Sequence, residues 1–176
     1  MGVLGRTLSL VAAAAFVVGG VVVPPTASGR AGEGQAAAVP AGAGDVGAGL
    51  AANIRSNYNN RCLEVRDGNP GNGAMVGIWD CTSWPSELFF FDGSQIRNSI
   101  NGKCLDIVAS NHDNGAAVNM IDCHGWAAQQ WRWDGSQIRS NMSHRCLEIS
   151  GANWWVGATV QMWDCNGGAH QQWRHG

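Results

Sequence analysis

Six cysteines stand at positions 62, 81, 104, 123, 146 and 165 of this 176-residue chain. Each pair is 19 apart (81−62, 123−104, 165−146), and successive pairs are displaced by 42. The three 42-residue units superpose without a gap, and ten of the 42 positions are identical in all three. Among these are Ile54/Ile96/Ile138, Arg55/Arg97/Arg139, Leu63/Leu105/Leu147, Gly73/Gly115/Gly157, Val76/Val118/Val160 and Asp80/Asp122/Asp164. A strict period of this length is the mark of one supersecondary unit used three times around a shared core.

Inside each unit the apolar runs are short. NIRSN, CLEV and MVGIWDC in the first unit, and QIRS, CLEI, TVQMWDC and QQWR in the third, span four to seven residues bounded by Gly, Asn or Asp. Nowhere do ten residues keep a helical period, so the pattern predicts an all-β fold. FDGSQIR (91–97) and WDGSQIR (133–139) place Asp-Gly between apolar runs, which predicts hairpins.

Six cysteines allow 15 pairings. The repeat favours one bond per unit, Cys62–Cys81, Cys104–Cys123 and Cys146–Cys165. Each closes a loop of about 20 residues, a constraint of roughly 3 kcal/mol on the unfolded chain. A metal reading is poor, because no Cys-x₂-Cys spacing exists and the five His do not recur with the cysteines.

The N-terminus is different in kind. One Arg precedes an apolar run from Leu8 to Val23, followed by Pro24 and Pro25. This is the layout of a secretory signal peptide over residues 1–27, with cleavage between 25 and 38. The run is too short for the roughly 20 apolar residues of a membrane span. Residues 28–50 hold 7 Gly and 7 Ala among 23 and are expected to form a flexible tether. From residue 51 onward there are 9 Lys+Arg against 11 Asp+Glu, a balance with no footprint for nucleic acid or an anionic membrane.

CLEV and CLDI, the WDC strand, and QQW at 129–131 and 171–173 resemble the ricin-B-type β-trefoil lectins, also classed as family 13 carbohydrate-binding modules. The first unit departs, with Glu87-Leu88-Phe89 in place of QQW. The resemblance covers the domain 51–176, with repeats 53–94, 95–136 and 137–176, and implies twelve strands, six in a barrel and six in a cap. It makes Phe89, Trp131 and Trp173 core anchors.

Strand alternation puts Leu147 and Ile149 on one face and Cys146 and Glu148 on the other. A Cys146–Cys165 bond then brings Glu148 toward Gln161 and Trp163, which predicts a solvent-facing group of carboxylate, amide and indole. The same alternation sends Asp164 inward. A carboxylate and an amide suit sugar hydroxyls, and an aromatic face suits the C–H face of a pyranose. By resemblance, the third repeat offers Glu148, Gln161, Trp163, Asn166, His170 and Gln171. The second offers Asp106, Asn119, His124 and Gln129, with Ile121 in the aromatic place and Ala128 in that of the family's Asn. The first keeps only Glu64 and Trp79, and Gly77 stands where the amide belongs. The expected order is third, second, first. Trp154 and Trp155 lie in a Gly-bounded loop, GANWWVG, found in no other repeat, and are candidates for an exposed contact edge.

The expected protein is therefore a secreted, monomeric, non-catalytic and multivalent carbohydrate binder with no cofactor. Two other classes compete. A glycosidase needs two carboxylates about 5–10 Å apart in one site, whereas these three acids belong to separate repeats. A protein-binding or targeting trefoil with decayed sugar sites, partner to a separate catalytic chain, is the alternative.

Overall fold

Short alternating runs broken by Gly, Asn and Asp become short strands. The computed structural model describes residues 49–176. The expected signal peptide at 1–27, and the tether at 28–50 apart from its last two residues, lie outside the described residues. The first repeat folds as β1 (Ala52–Ser56), β2 (Cys62–Val65), β3 (Ala74–Trp79) and β4 (Leu88–Asp92). The second gives β5 (Gln95–Asn98), β6 (Cys104–Ile107), β7 (Ala116–Ile121) and β8 (Trp131–Asp134). The third gives β9 (Gln137–Ser140), β10 (Cys146–Ile149), β11 (Val160–Trp163) and β12 (Trp173–His175).

The first and fourth strands of each repeat make a barrel. Strand β1 pairs with β4 and β12, β4 with β5, and β8 with β9, all antiparallel. Two equivalent backbone bonds close the remaining seams, Trp131 N–H to Ser94 O and Trp173 N–H to Ser136 O, both 2.7 Å. The second and third strands form hairpins β2–β3, β6–β7 and β10–β11. These meet as a cap through β3–β7, β7–β11 and a bridge from Gly77 to Thr159. This is the β-trefoil that the resemblance implies. The Asp-Gly hairpins also form, pairing Asp92 with Gln95 and Asp134 with Gln137 around Gly93 and Gly135, both at positive φ.

Positions that repeat in sequence meet in the core. Leu63, Leu105 and Leu147 are fully buried, as are Val65, Ile107 and Ile149. Phe89, Trp131 and Trp173 are core anchors as expected. The two indoles also donate to Leu105 O and Leu147 O at 2.9 Å. Phe89 has no N–H to give, so the first repeat lacks this tie between barrel and cap.

All three disulfides join the partners the repeat favours, with Cα separations of 5.1, 5.1 and 5.2 Å. One expectation is corrected. Asp164 points outward and pairs with Arg145 at 3.1 Å, because β11 ends at Trp163 and the alternation stops there. Asn114 clasps Asp164 from the neighbouring repeat, accepting its backbone N–H and donating to its carboxylate, both at 2.8 Å. Asn72 does the same for Asp122, and this bond, helped by Lys103, holds the Asp122 carboxyl below its ordinary range. These aspartates tie one repeat to the next.

Candidate functional site

Strand register gathers each acid with its neighbours. Glu64 lies opposite Gly77, Asp106 opposite Asn119, and Glu148 opposite Gln161. Two residues along, the half-cystines Cys62, Cys104 and Cys146 face Trp79, Ile121 and Trp163. A short 3-10 turn before the fourth strand of each repeat then folds back over the acid. It carries Ser86-Glu87, Ala128-Gln129 or His170-Gln171.

In the third repeat this turn closes the site. Gln161 Nε2 donates to Glu148 Oε1 at 2.9 Å, and Gln171 Nε2 donates to Oε2 at 2.9 Å. His170 Nε2 is 3.3 Å from the same Oε2. The expectation of a solvent-facing Glu148 is thus corrected: it leaves the outward face of β10 as predicted, but three side chains cover it and its residue exposure is 3%. Alternation fixes which face a side chain takes, and not what folds over that face. Asn166 is occupied as well, its Oδ1 accepting from Gly168 N–H at 2.8 Å. Trp163 remains partly exposed, and beyond His170 an aromatic run continues through Tyr58 to the exposed Trp154.

The second repeat is closed by a different histidine. His124 Nε2 is 3.1 Å from Asp106 Oδ2. Its Nδ1 accepts the Trp126 backbone N–H, so the neutral ring carries its proton on Nε2 and donates to the acid. Burial pushes the Asp106 carboxyl up, while His124 and Gln129 pull against that shift. Gln129 is held in the scaffold, accepting from His124 N–H and Gly125 N–H and donating to Asp122 O. Asn119 Oδ1 is buried with no hydrogen-bond partner among the described residues, and Trp126, which the sequence pattern did not single out, packs against His124.

The first repeat, poorest in family residues, is the open one. Among the described residues Glu64 takes no side-chain hydrogen bond and is half-buried. Burial, then repulsion from Glu87 and Asp67, pushes its carboxyl up against the pull of Arg66. It borders a cavity of about 440 Å³ with Arg66, Trp79, Trp84, Ser86 and Glu87. Trp84 is 69% exposed and Trp79 46%. The open space has a physical cause. A Cβ on Gly77 would meet the Ala158 carbonyl oxygen at 2.8 Å, where the cap ring closes, so no amide can stand there. Ser86 and Thr82 are too short to replace His170 and His124. Thr82 and Ser86 line the cavity at the positions where the second and third repeats carry His124 and His170, respectively.

Glu87, Trp84 and Arg66 are lining residues that the sequence pattern did not single out. Glu87 was legible in principle, because it occupies the place of the first Gln of QQW. Among the described residues no group of three His, Cys, Asp or Glu side chains is gathered to hold a metal.

Comparison with known proteins agrees with this architecture. The model of the ricin-type beta-trefoil lectin domain matches residues 51–174. A designed threefold-symmetric protein, ThreeFoil, aligns with TM-score 0.66 and 21% identity over 71% of this chain and 96% of its own. The C-half of an earthworm R-type lectin, solved with GalNAc, aligns with TM-score 0.64 and 20% identity over 72% and 98%. The agglutinin of Abrus precatorius aligns with TM-score 0.64 and 24% identity over 72% of this chain and 48% of its own. At these identities the solved structures speak for the fold alone. No curated protein matches the chain.

Proposed function

The chain belongs to the ricin-type β-trefoil lectin family, and from that premise we propose that it is a secreted, non-catalytic protein that binds carbohydrate at more than one repeat. The observation that carries this reading is the first-repeat cavity, where the unpaired Glu64 shares its walls with two exposed indoles. Such a pocket has what a pyranose needs, acceptors for hydroxyl groups and flat apolar surface for ring C–H bonds. The third repeat is the second candidate, with Trp163 still partly exposed and His170 beside the Glu148 carboxylate that a sugar would have to reach. The second repeat keeps the acid but has Ile121 in the aromatic position. Linked weak sites gain through multivalent engagement of a polymer. Secretion is supported by the apolar run at 8–23 and by three disulfides, which persist in oxidising compartments.

The experiment is a glycan array followed by titration of its hits. Trp79→Ala is expected to weaken binding about tenfold or more, on the scale of a buried tryptophan contact. One observation favours a protein-binding role instead, since Asp106 and Glu148 are both engaged by the protein's own side chains. No binding to any glycan, alongside capture of a protein, would establish that alternative.

A further inference from the structure

The first-repeat cavity differs from its two counterparts in charge as well as in volume. If the chain binds carbohydrate as proposed, that charge bears on which sugar the pocket takes. At the equivalent position Gln129 and Gln171 accept backbone N–H groups through Oε1 and donate through Nε2 to the carbonyls of Asp122 and Asp164. Glu87 keeps the first role, its Oε2 accepting Thr82 N–H and Ser83 N–H at 2.7 Å each. It cannot perform the second. Glu87 is 1% exposed, and its Oε1, which takes no hydrogen bond among the described residues, is not fully sealed from the cavity it borders.

The pocket therefore holds carboxylate oxygens short of donors. Glu64 is unpaired, Glu87 has one free oxygen, and Asp67 stands at the rim, against a single guanidinium from Arg66. Carboxylates partly withdrawn from water and short of donors are costly, so the ligand that relieves them best is a donor and a cation at once. Trp79 and Trp84 add faces that attract both sugar C–H groups and positive charge. An acetamido group would bring a carbonyl oxygen toward acceptors that already repel one another.

We propose that the first-repeat pocket selects a sugar bearing a protonated amine, such as a glucosamine unit, with the ammonium held by Glu64 and Glu87 and the ring against Trp79 and Trp84. This selectivity rests on the carbohydrate-binding reading of the same pocket. The test titrates the full chain with the trisaccharides of glucosamine, N-acetylglucosamine and glucose, at a pH where the amine is charged and the carboxylates are ionised. The glucosamine trimer is expected to bind about tenfold tighter than the other two, as a charge-assisted contact should. Added salt should narrow that gap.

Glu87→Gln is expected to level the three affinities. It should fold, because glutamine already fills this place in the other repeats, and near-UV circular dichroism checks that. Glu64→Gln is expected to act in the same direction through the other carboxylate. Equal or tighter binding of the neutral or acetylated trimer by the native chain overturns the charge preference and leaves the lectin reading intact. A preference that survives both substitutions places the amine elsewhere and also overturns it. Calcium ion bound alone, and lost in Glu87→Gln, would assign the carboxylate pair to a metal instead. Failure of the whole glycan array is the separate result that removes carbohydrate binding.

Discussion

The first and third repeats share a backbone and an acid at the same register position, yet one acid is open and the other sealed. Glu148 lies beneath Gln161, His170 and Gln171, while Glu64 faces Gly77 and a cavity. The repeat with the fullest set of family side chains has those side chains bonded to one another. The repeat that lost them has space. In a scaffold that recurs three times, a pocket arises as readily by removing filling side chains as by adding binding ones.

The largest effect that would sharpen this contrast is on stability. Glu148→Ala leaves two amides and an imidazole without their buried partner and is expected to cost about 2–4 kcal/mol in urea unfolding. Glu64→Ala should fall within about 0.5 kcal/mol of the native protein. Equal losses from the two would break the comparison.

Binding comes next. If the open repeat dominates, Trp79→Ala weakens glycan binding about tenfold or more, and Trp163→Ala by less than about threefold. The reverse order in titration calorimetry would return the third repeat to first place. A smaller effect is expected from His170→Ala, which uncovers Glu148 Oε2 without emptying the scaffold. It should raise the number of sugars bound per chain at saturation, and an unchanged stoichiometry would mean that Gln161 and Gln171 suffice to close the site.

The smallest effect is a pH dependence. The Glu64 carboxyl is raised in the folded state, first by burial and then by Glu87 and Asp67. Between its unfolded and folded values the native chain holds more proton than the unfolded one, so stability falls as pH rises through that window. Glu64→Gln should flatten that decline in unfolding curves across weakly acidic pH, and an unchanged slope would mean that Glu64 does not carry it.

Much of the fold is legible in the amino-acid order. The short strands and the Asp-Gly hairpins come from runs that recur 42 residues apart, while their division into barrel and cap and the three indole or phenyl anchors come from the family resemblance. Of the site, the acids and their cross-strand neighbours are legible too, because register is a local property of a hairpin. Glu148's burial is not, because it depends on a turn roughly 20 residues further on, and long-range packing escapes a local pattern. Asp164 escapes for a similar reason, since the alternation rule does not hold one residue past the end of β11.

The sequence by itself determined that three copies of one disulfide-closed β unit must share a core. Periodicity, alternation and cysteine spacing are local quantities, and symmetry multiplies them. Only the tertiary structure decided which acid is free. That outcome turns on Gly77 meeting the Ala158 carbonyl where two repeats touch, and on whether Ser86 or His170 arrives above the carboxylate. Both are contacts between segments distant in the chain, settled by volume when the ring of hairpins closes.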